Sequence, residues 1–278
     1  MAKVKIRDKR VVSKFLEISS ALSATLSAIL IFVDIPDRGR IAFGVAFIAL
    51  LIAIYVVIWF RSNQLRDVSL SIDGSVVNIK VGDIFLQPGF KAIAFNEFLD
   101  TQVDDKIIAH ESLNGAFIKS HLDISVAALD LHIETYEFDE DEMLERDANR
   151  KVGKSVRYKS GTICVYGDYL LTAFAKFDES NIASLTMPEY LEFLINFWNK
   201  VNRVYAQKSV STPIFGSGIT RIRGHKDIGD EDLLKIMLWT FRISEMRFKY
   251  PAKLTIVIHE KKIDQINLFE IKSAGNGM

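Results

Sequence analysis

Cysteine is almost absent from this chain, since Cys164 is the only one among 278 residues. A lone thiol cannot form an internal disulfide, so a disulfide-built secreted scaffold is excluded and a reducing compartment is expected. A zinc site is disfavoured for two reasons. Cys164 has no second cysteine to bind the metal with it, and the five histidines show neither HxH nor HExxH spacing. No metal and no cofactor are therefore expected.

Two catalytic signatures and any excess of positive charge are missing as well. The chain has no G-x-x-x-x-G-K-[ST] loop, and Ser217 stands in Gly-Ser-Gly rather than in a G-x-S-x-G elbow, which disfavours an NTPase and a serine hydrolase. The formal net charge is zero, and after residue 66 only 25 basic residues face 31 acidic ones. A domain with a net negative charge binds a phosphate backbone poorly, so no nucleic-acid partner is expected.

Charge is missing altogether between Ile41 and Phe60, a run of 20 residues. At about 1.5 Å per residue, such a helix spans the roughly 30 Å of a bilayer's hydrocarbon core. A second apolar run, from Val12 to Val33, precedes it. Because Pro36 and Gly39 favour a turn between the runs, the sequence predicts a two-helix transmembrane hairpin within residues 1–63.

Basic residues are unevenly distributed around these two runs. Six lie before the first run or at its start (Lys3, Lys5, Arg7, Lys9, Arg10 and Lys14), and Arg61 and Arg66 follow the second run, whereas the turn contains only Arg38 and Arg40. The bias predicts that both termini lie in the cytoplasm and that the basic tail rests on anionic lipid.

Small residues recur at a spacing of four in the first run and form two ridges. One contains Ser19, Ser23 and Ser27, and the other contains Ser20, Ala24 and Ala28. Such ridges let membrane helices approach closely. Packing within the hairpin explains them, and so does contact with other subunits or a wet path between subunits.

Residues 64–278 predict one α/β domain whose sheet is covered by helices on both faces. The predicted strands are Val68–Ile72, Ser75–Val81, Lys91–Asn96, Val210–Phe215, Leu254–His259 and Gln265–Ile271, with a β-rich stretch from Ser155 to Phe177. The predicted helices are Met187–Gln207, about Glu231–Phe248, and the region Ile107–Leu131 with interruptions near Asn114–Gly115 and His121. The acidic run Glu134–Asp147 lacks the pattern of a calcium loop and is expected to be a solvated face.

Two loops carry the candidate chemistry. Gly82 to Phe85 forms an acidic turn in which Asp83 either accepts from an exocyclic amine or satisfies its own turn. The second loop runs from Pro213 to Ile222, and its glycines at 216 and 218 let backbone N–H groups converge on an anion. Basic residues at 221, 223, 225 and 226 favour a phosphate partner over a purely structural turn.

These segments resemble the macro domains that bind ADP-ribose, and more closely the membrane-anchored macro-domain effectors of bacterial Thoeris anti-phage systems. The similarity rests on VGDIF at 81–85, on KAIAFNEFLDTQVDDKII at 91–108 with SLNGAFI at 112–118, and on TPIFGSGITRI at 212–222. It implies a macro-domain-like mixed sheet flanked by helices. It also implies that Asp83, with Ile84 and Phe85, holds adenine, and that Asn96 to Asp100 contact the distal ribose. The implied diphosphate contacts are Gly216, Ser217, Gly218, Ile219, Thr220 and Arg221.

The resemblance further implies a receptor rather than an enzyme. A TIR-domain partner would consume NAD and make an ADP-ribose conjugate linked to histidine, which the macro domain would bind. The chains would then oligomerise in the bacterial inner membrane and disrupt it, leading to abortive infection. An alternative is a membrane-tethered ADP-ribose-processing hydrolase, although FNEFLD at 95–100 differs from the small, Ala- and Asn-rich segment of the hydrolases.

Overall fold

The structure is a computed structural model that describes residues 4–148, 150, 152–177, 183–218, 220–225 and 228–275. These residues form two compact units, one of residues 4–68 with 266–275 and the other of residues 69–265. Residues 64–278 were predicted to form one domain, whereas the structure groups residues 266–275 with the amino-terminal segment.

The helices and strands have the following bounds. The helices are α1 (Lys9–Leu30), α2 (Asp37–Asn63), α3 (Leu113–Ser120), α4 (Val126–Thr135), α5 (Met187–Val204), α6 (Asp230–Ile243) and α7 (Leu268–Gly275), with 3-10 helices at Ile84–Leu86 and Glu260–Gln265. The strands are β1 (Asp67–Ile72), β2 (Ser75–Val81), β3 (Phe90–Asn96), β4 (Met143–Arg146), β5 (Val156–Tyr158), β6 (Ile163–Tyr166), β7 (Tyr169–Phe177), β8 (Ala183–Thr186), β9 (Val210–Pro213), β10 (Arg221–Arg223) and β11 (Leu254–Ile258).

Both apolar runs of the first unit are helical, with bounds that differ from those predicted. Helix α1 ends at Leu30 instead of Val33, and α2 begins at Asp37, so Gly39 lies inside the helix rather than in the turn. Phe15 near the start of α1 packs edge-to-face on Tyr55 near the end of α2, with ring centroids 5.2 Å apart. The two helices are therefore antiparallel neighbours.

Within the described residues, only α2 is both long and apolar enough to cross a membrane. It has 27 residues, and its most apolar window has a mean hydropathy of 3.0. Helix α1 is less apolar because it contains Glu17 and several serines. The prediction of a membrane span is therefore supported for α2, and the prediction of a second span in α1 is not.

The amino-terminal segment folds back onto the end of α2. The indole Nε1 of Trp59 donates to the Val4 carbonyl at 3.0 Å, and the Val4 amide donates to Asn63 Oδ1 at 2.9 Å. Arg10 in α1 forms an ion pair with Glu270 of α7 at 3.2 Å. These contacts bring the basic residues near the amino terminus to the same end of α2 as Arg61.

The second unit contains a mixed sheet in the order β1-β2-β11-β9-β3-β7-β8-β10, with β6 also paired to β7. Strands β2, β11, β9, β3 and β7 are consecutive parallel neighbours, whereas β6 and β8 pair antiparallel to β7. The predicted hairpin of β1 and β2 is confirmed, and both residues of its Asp73-Gly74 turn have positive φ, as type I′ turns require.

Helices cover both faces of this sheet. Leu171 and Ala173 of β7 belong to a core cluster with Phe117 of α3 and Leu129 of α4. Phe174 points to the opposite face, because successive strand residues alternate, and packs on Phe193 of α5 at 4.5 Å between ring centroids. The predicted α/β arrangement with a sheet covered on both faces is thus confirmed.

Three local predictions in this part of the chain were wrong. Residues 268–271 are helical rather than extended, and the helix start is capped because Asn267 Oδ1 accepts from the Glu270 amide at 3.1 Å. Gly115 lies inside α3 rather than at an interruption. Glycine is required there by packing, since an added Cβ would approach the Ala109 carbonyl oxygen to 2.4 Å, and in the sequence such a glycine resembles a turn signal. The helix predicted to reach Phe248 ends at Ile243.

The acidic run is not wholly a solvated face. Glu142 is only 7% exposed and forms an ion pair with Lys200 of α5 at 2.7 Å, and Asp139 accepts from the same ammonium group at 3.1 Å. No local pattern indicates this pairing, because the cation lies 58 residues further along the chain.

Helix α5 begins with a capping box that fixes its position beside β7. The Thr186 side chain accepts from the Glu189 amide, and Glu189 accepts from the Thr186 amide at 2.7 Å. Lys176 of β7 donates to the same carboxylate at 2.8 Å. The Lys176 ammonium and the Thr186 amide hold the pKa of Glu189 down at about 2.

Replacing Glu189 with glutamine is expected to lower the free energy of unfolding by about 1 kcal/mol at pH 7, since glutamine keeps the cap but loses the partly screened charge. Because the pKa in the folded state is depressed, the stabilisation is present above about pH 4.5 and is lost as the pH falls towards 2. Denaturant unfolding of wild type and Glu189→Gln across this range measures the difference. A difference that does not shrink with acid would contradict this assignment.

Candidate ligand-binding site

Three of the predicted segments follow the carboxyl ends of parallel strands, and this side of the sheet is called the carboxyl edge. Strands β2, β9 and β3 belong to the same parallel set, so their carboxyl ends lie on the same side. The acidic turn follows β2, the glycine loop follows β9, and the loop from residue 97 to residue 100 follows β3. This is the edge where open α/β sheets bind their ligands.

The acidic turn is held by its own side chain. Asp83 is exposed and its Oδ1 accepts from the Phe85 amide at 2.9 Å, which caps the following 3-10 helix. Gln87 Nε2 donates to the Asp83 carbonyl at 2.6 Å. One carboxylate oxygen therefore stabilises the turn, as the structural alternative predicted.

The two apolar residues of this turn face inward. Ile84 is 5% exposed, and the Phe85 ring stacks on His121 with centroids 3.7 Å apart. Phe85 also packs against the core cluster near Tyr169, at the amino end of β7. The Phe85 side chain thus anchors the turn to the core rather than extending from the carboxyl edge.

The loop after β3 is closed by its own polar groups. Asn96 is 4% exposed, its Nδ2 donates to Asp100 Oδ2 at 2.7 Å, and its Oδ1 accepts from the Phe98 and Asp100 amides at 3.1 and 3.2 Å. Asp100 is 1% exposed and forms a second set of bonds with Arg150 and Lys154. Both predicted residues are therefore part of a buried network.

Glu97, which lies within the predicted ribose segment from Asn96 to Asp100, is a buried acid in the same loop. It is 6% exposed, accepts from Arg157 Nη2 at 2.7 Å and accepts from the Phe177 amide at 3.3 Å. Its partners are 60 and 80 residues away in the sequence, and no local pattern indicates them.

The glycine loop combines a tight turn with an open position. Gly216 has φ +84°, a conformation that disfavours residues with a side chain, and the Ser217 amide donates to the Ile214 carbonyl at 3.2 Å within the turn. Tyr190 of α5 stabilises the loop, because its hydroxyl donates to the Phe215 carbonyl at 2.8 Å. At Gly218, by contrast, an added Cβ would meet nothing within 4 Å.

The remaining predicted phosphate contacts lie beyond this turn. Thr220 is half-buried, Ile219 lies outside the described residues, and Arg221 begins β10, which pairs with β8. In the same strand, Arg223 is exposed and its Nε donates to Ser184 Oγ at 2.8 Å.

A cleft of about 350 Å³ opens next to Glu97, and within the described residues Glu97 is the one member of the predicted ribose segment that lines it. Most of its charged residues are already paired, since Arg157 bonds to Glu97 at 2.7 Å and Lys159 to Asp141 at 2.8 Å. Compensated charges leave little electrostatic attraction for an ionic ligand, so the candidate site remains the loop edge.

Comparisons with known proteins agree with this architecture. Residues 77–259 match the family model "Thoeris protein ThsA, Macro domain". The chain is 39% identical over 272 residues to the Thoeris protein ThsA of Bacillus amyloliquefaciens strain Y2, an alignment that covers 96% of this chain and 90% of that protein.

A solved structure, the Oceanobacillus iheyensis macrodomain with ADP, is similar in fold. Its TM-score is 0.50 at 14% identity, and the match covers 76% of this chain and 98% of that one. At this identity the likeness shows the fold alone, a macro-domain-like mixed sheet flanked by helices. The family match extends over most of the chain, and this chain therefore belongs to the ThsA family of Thoeris defence proteins.

Proposed function

We propose that this chain is an anti-phage effector whose macro domain binds an ADP-ribose conjugate, namely histidine-ADP-ribose made by a TIR-domain partner. The observation that carries the proposal is that the acidic turn, the loop after β3 and the glycine loop all follow the carboxyl ends of strands in one parallel set. Membership of the ThsA family and the similar fold of a macrodomain with ADP support the same ligand class.

In this proposal, adenine lies at the turn after β2 and the diphosphate lies at the glycine loop. A polyanion at the glycine loop would accept from backbone N–H groups, which Gly218 allows to be approached closely. The distal ribose would lie at the loop after β3. Ile84 and Phe85 would act by fixing the turn, because both pack inward.

The membrane part of the proposal rests on α2. Its length and apolarity suit a bilayer span, and Trp59 and Tyr55 lie near its end, where amphipathic rings favour the headgroup layer. We propose that α1 crosses beside it as the second helix of a hairpin in the inner membrane, with both termini cytoplasmic. Ligand binding would promote oligomerisation of the chains, disruption of the membrane and abortive infection.

Isothermal calorimetry of the full chain in detergent with ADP-ribose tests the ligand class directly. We expect saturable binding of one nucleotide per chain, and no heat with an equimolar mixture of free ribose and inorganic phosphate. Product analysis of the same sample after long incubation with an ADP-ribose conjugate tests turnover. Released ADP-ribose would favour the hydrolase alternative over a receptor.

A single substitution can separate the proposed role of Asp83 in ligand binding from its role in capping the turn. In Asp83→Asn the amide oxygen still accepts from the Phe85 amide, so the cap is kept while the charge is lost. We expect about a tenfold loss of ADP-ribose affinity, near 1.4 kcal/mol, because one charge-assisted hydrogen bond is weakened. Asp67→Asn, an exposed acid on β1, is the matched control, and equal affinities in the two variants would exclude Asp83 from the site.

A further inference from the structure

The loop after β3 is fastened by a segment that lies 50 residues further along the chain. Arg150 forms a forked ion pair with Asp100, with Nη2 to Oδ2 at 2.6 Å and Nη1 to Oδ1 at 3.2 Å. The Lys154 amide donates to Oδ1 at 2.7 Å. We refer to Arg150, Gly153 and Lys154 together as the latch.

These bonds occupy the carboxylate of Asp100 completely. Each of its oxygens accepts two hydrogen bonds, Oδ1 from Arg150 and Lys154, and Oδ2 from Arg150 and Asn96. A carboxylate offers about four acceptor positions, so none remains for a ribose hydroxyl. Asp100 therefore cannot hold a ligand directly while the latch is in place.

The latch fits closely over the loop. The Arg150 guanidinium lies 3.7 Å from the centroid of the Phe98 ring, and the Lys154 ammonium donates to the Leu99 carbonyl at 2.9 Å. Gly153 has φ +88°, and an added Cβ would lie 2.7 Å from Asp100 Oδ1, so only glycine fits at this position.

The loop itself has a backbone that needs such support. Leu99 is fully buried and has φ +48°, a left-handed conformation that is unfavourable for leucine. Strained conformations of this kind persist only where surrounding contacts fix them, and they concentrate at ligand sites. A buried ion pair gives little net stability but fixes one geometry, since its desolvation cost offsets much of its attraction.

We propose that the latch positions the loop after β3 to receive the distal ribose, and that Arg150 and Asp100 are positioning residues that do not touch the ligand. The inference rests on the proposed function. It assigns the distal-ribose contacts to the backbone between Asn96 and Asp100, whose shape the latch sets.

ADP and ADP-ribose provide the test, because ADP contains the adenosine diphosphate part and lacks the distal ribose. Calorimetry would measure both affinities for the full chain in detergent, as wild type, Arg150→Ala and Arg150→Lys. We expect wild type to prefer ADP-ribose. In Arg150→Ala we expect the ADP-ribose affinity to fall at least tenfold towards that of ADP, with the ADP affinity within twofold of wild type.

Arg150→Lys should restore part of the preference, because lysine keeps the charge but lacks the planar fork. Arg203→Ala, which removes an exposed arginine paired with Asp139, is the matched control and should change neither affinity. A parallel loss of both affinities in Arg150→Ala, or an unchanged preference for ADP-ribose, would overturn the proposal. Wild type that binds neither nucleotide would overturn the proposed function, and the latch proposal with it.

Discussion

Gly218→Val is expected to reduce ADP-ribose affinity at least 100-fold while leaving the fold intact. The position is exposed, and among the described residues an added Cβ there meets nothing within 4 Å, so we expect the fold to accommodate a valine. A branched side chain would instead occupy the space where the diphosphate approaches the loop. A 100-fold loss corresponds to about 2.7 kcal/mol of binding free energy.

Substitution of the nearby Gly216 is expected to affect folding rather than binding. Gly216 has φ +84°, so Gly216→Val is expected to lower the free energy of unfolding by about 2 kcal/mol through backbone strain. Calorimetry and denaturant unfolding on both variants separate binding from folding. Retained affinity in a stable Gly218→Val protein would mean that this loop is only a turn.

Loss of growth arrest is expected when the outward ridge of α1 is enlarged by Ala24→Leu with Ala28→Leu. In the structure Ser20, Ala24 and Ala28 are all exposed. In the other ridge Ser19 is 9% exposed and Ser23 is half-buried, whereas Ser27 is exposed. Packing within the first unit therefore accounts for the Ser19 end of that ridge and leaves the ridge of Ser20, Ala24 and Ala28, called the outer ridge, uncovered. Under the proposed function, the outer ridge is available for contact between subunits, which two leucines would keep apart.

The measurement is the survival of infected cells that contain the TIR-domain partner, with equal membrane abundance of each variant verified by blotting. The variant should retain wild-type ADP-ribose affinity in detergent, since its substitutions lie outside the loops. Val45→Ile with Ile52→Leu, two exposed apolar positions of α2, is the matched control and should still arrest growth. Growth arrest by the ridge variant would make the helices a passive anchor.

Local patterns determined much of the domain from the sequence alone. The Asp73-Gly74 hairpin, the buried strand β3 and the amphipathic helix α5 were all predicted because their signals lie within a few residues of each other. Hydrophobic periodicity and turn chemistry report on short-range geometry, which is what a single sequence contains. Likewise, the absence of charge between Ile41 and Phe60 was sufficient to identify the apolar helix α2.

The tertiary structure decided what the polar residues do. Asp100 looked like a ligand residue, but Arg150 and Lys154 occupy its carboxylate from 50 and 54 residues away. Glu97 and Glu142 were not recognised as buried acids, because their cationic partners lie 60 and 58 residues away. The sequence by itself determined which segments are strands, helices and turns, since those depend on neighbouring residues. Only the fold decided which charges meet, because a buried charge is stable only beside a partner that the chain supplies from elsewhere.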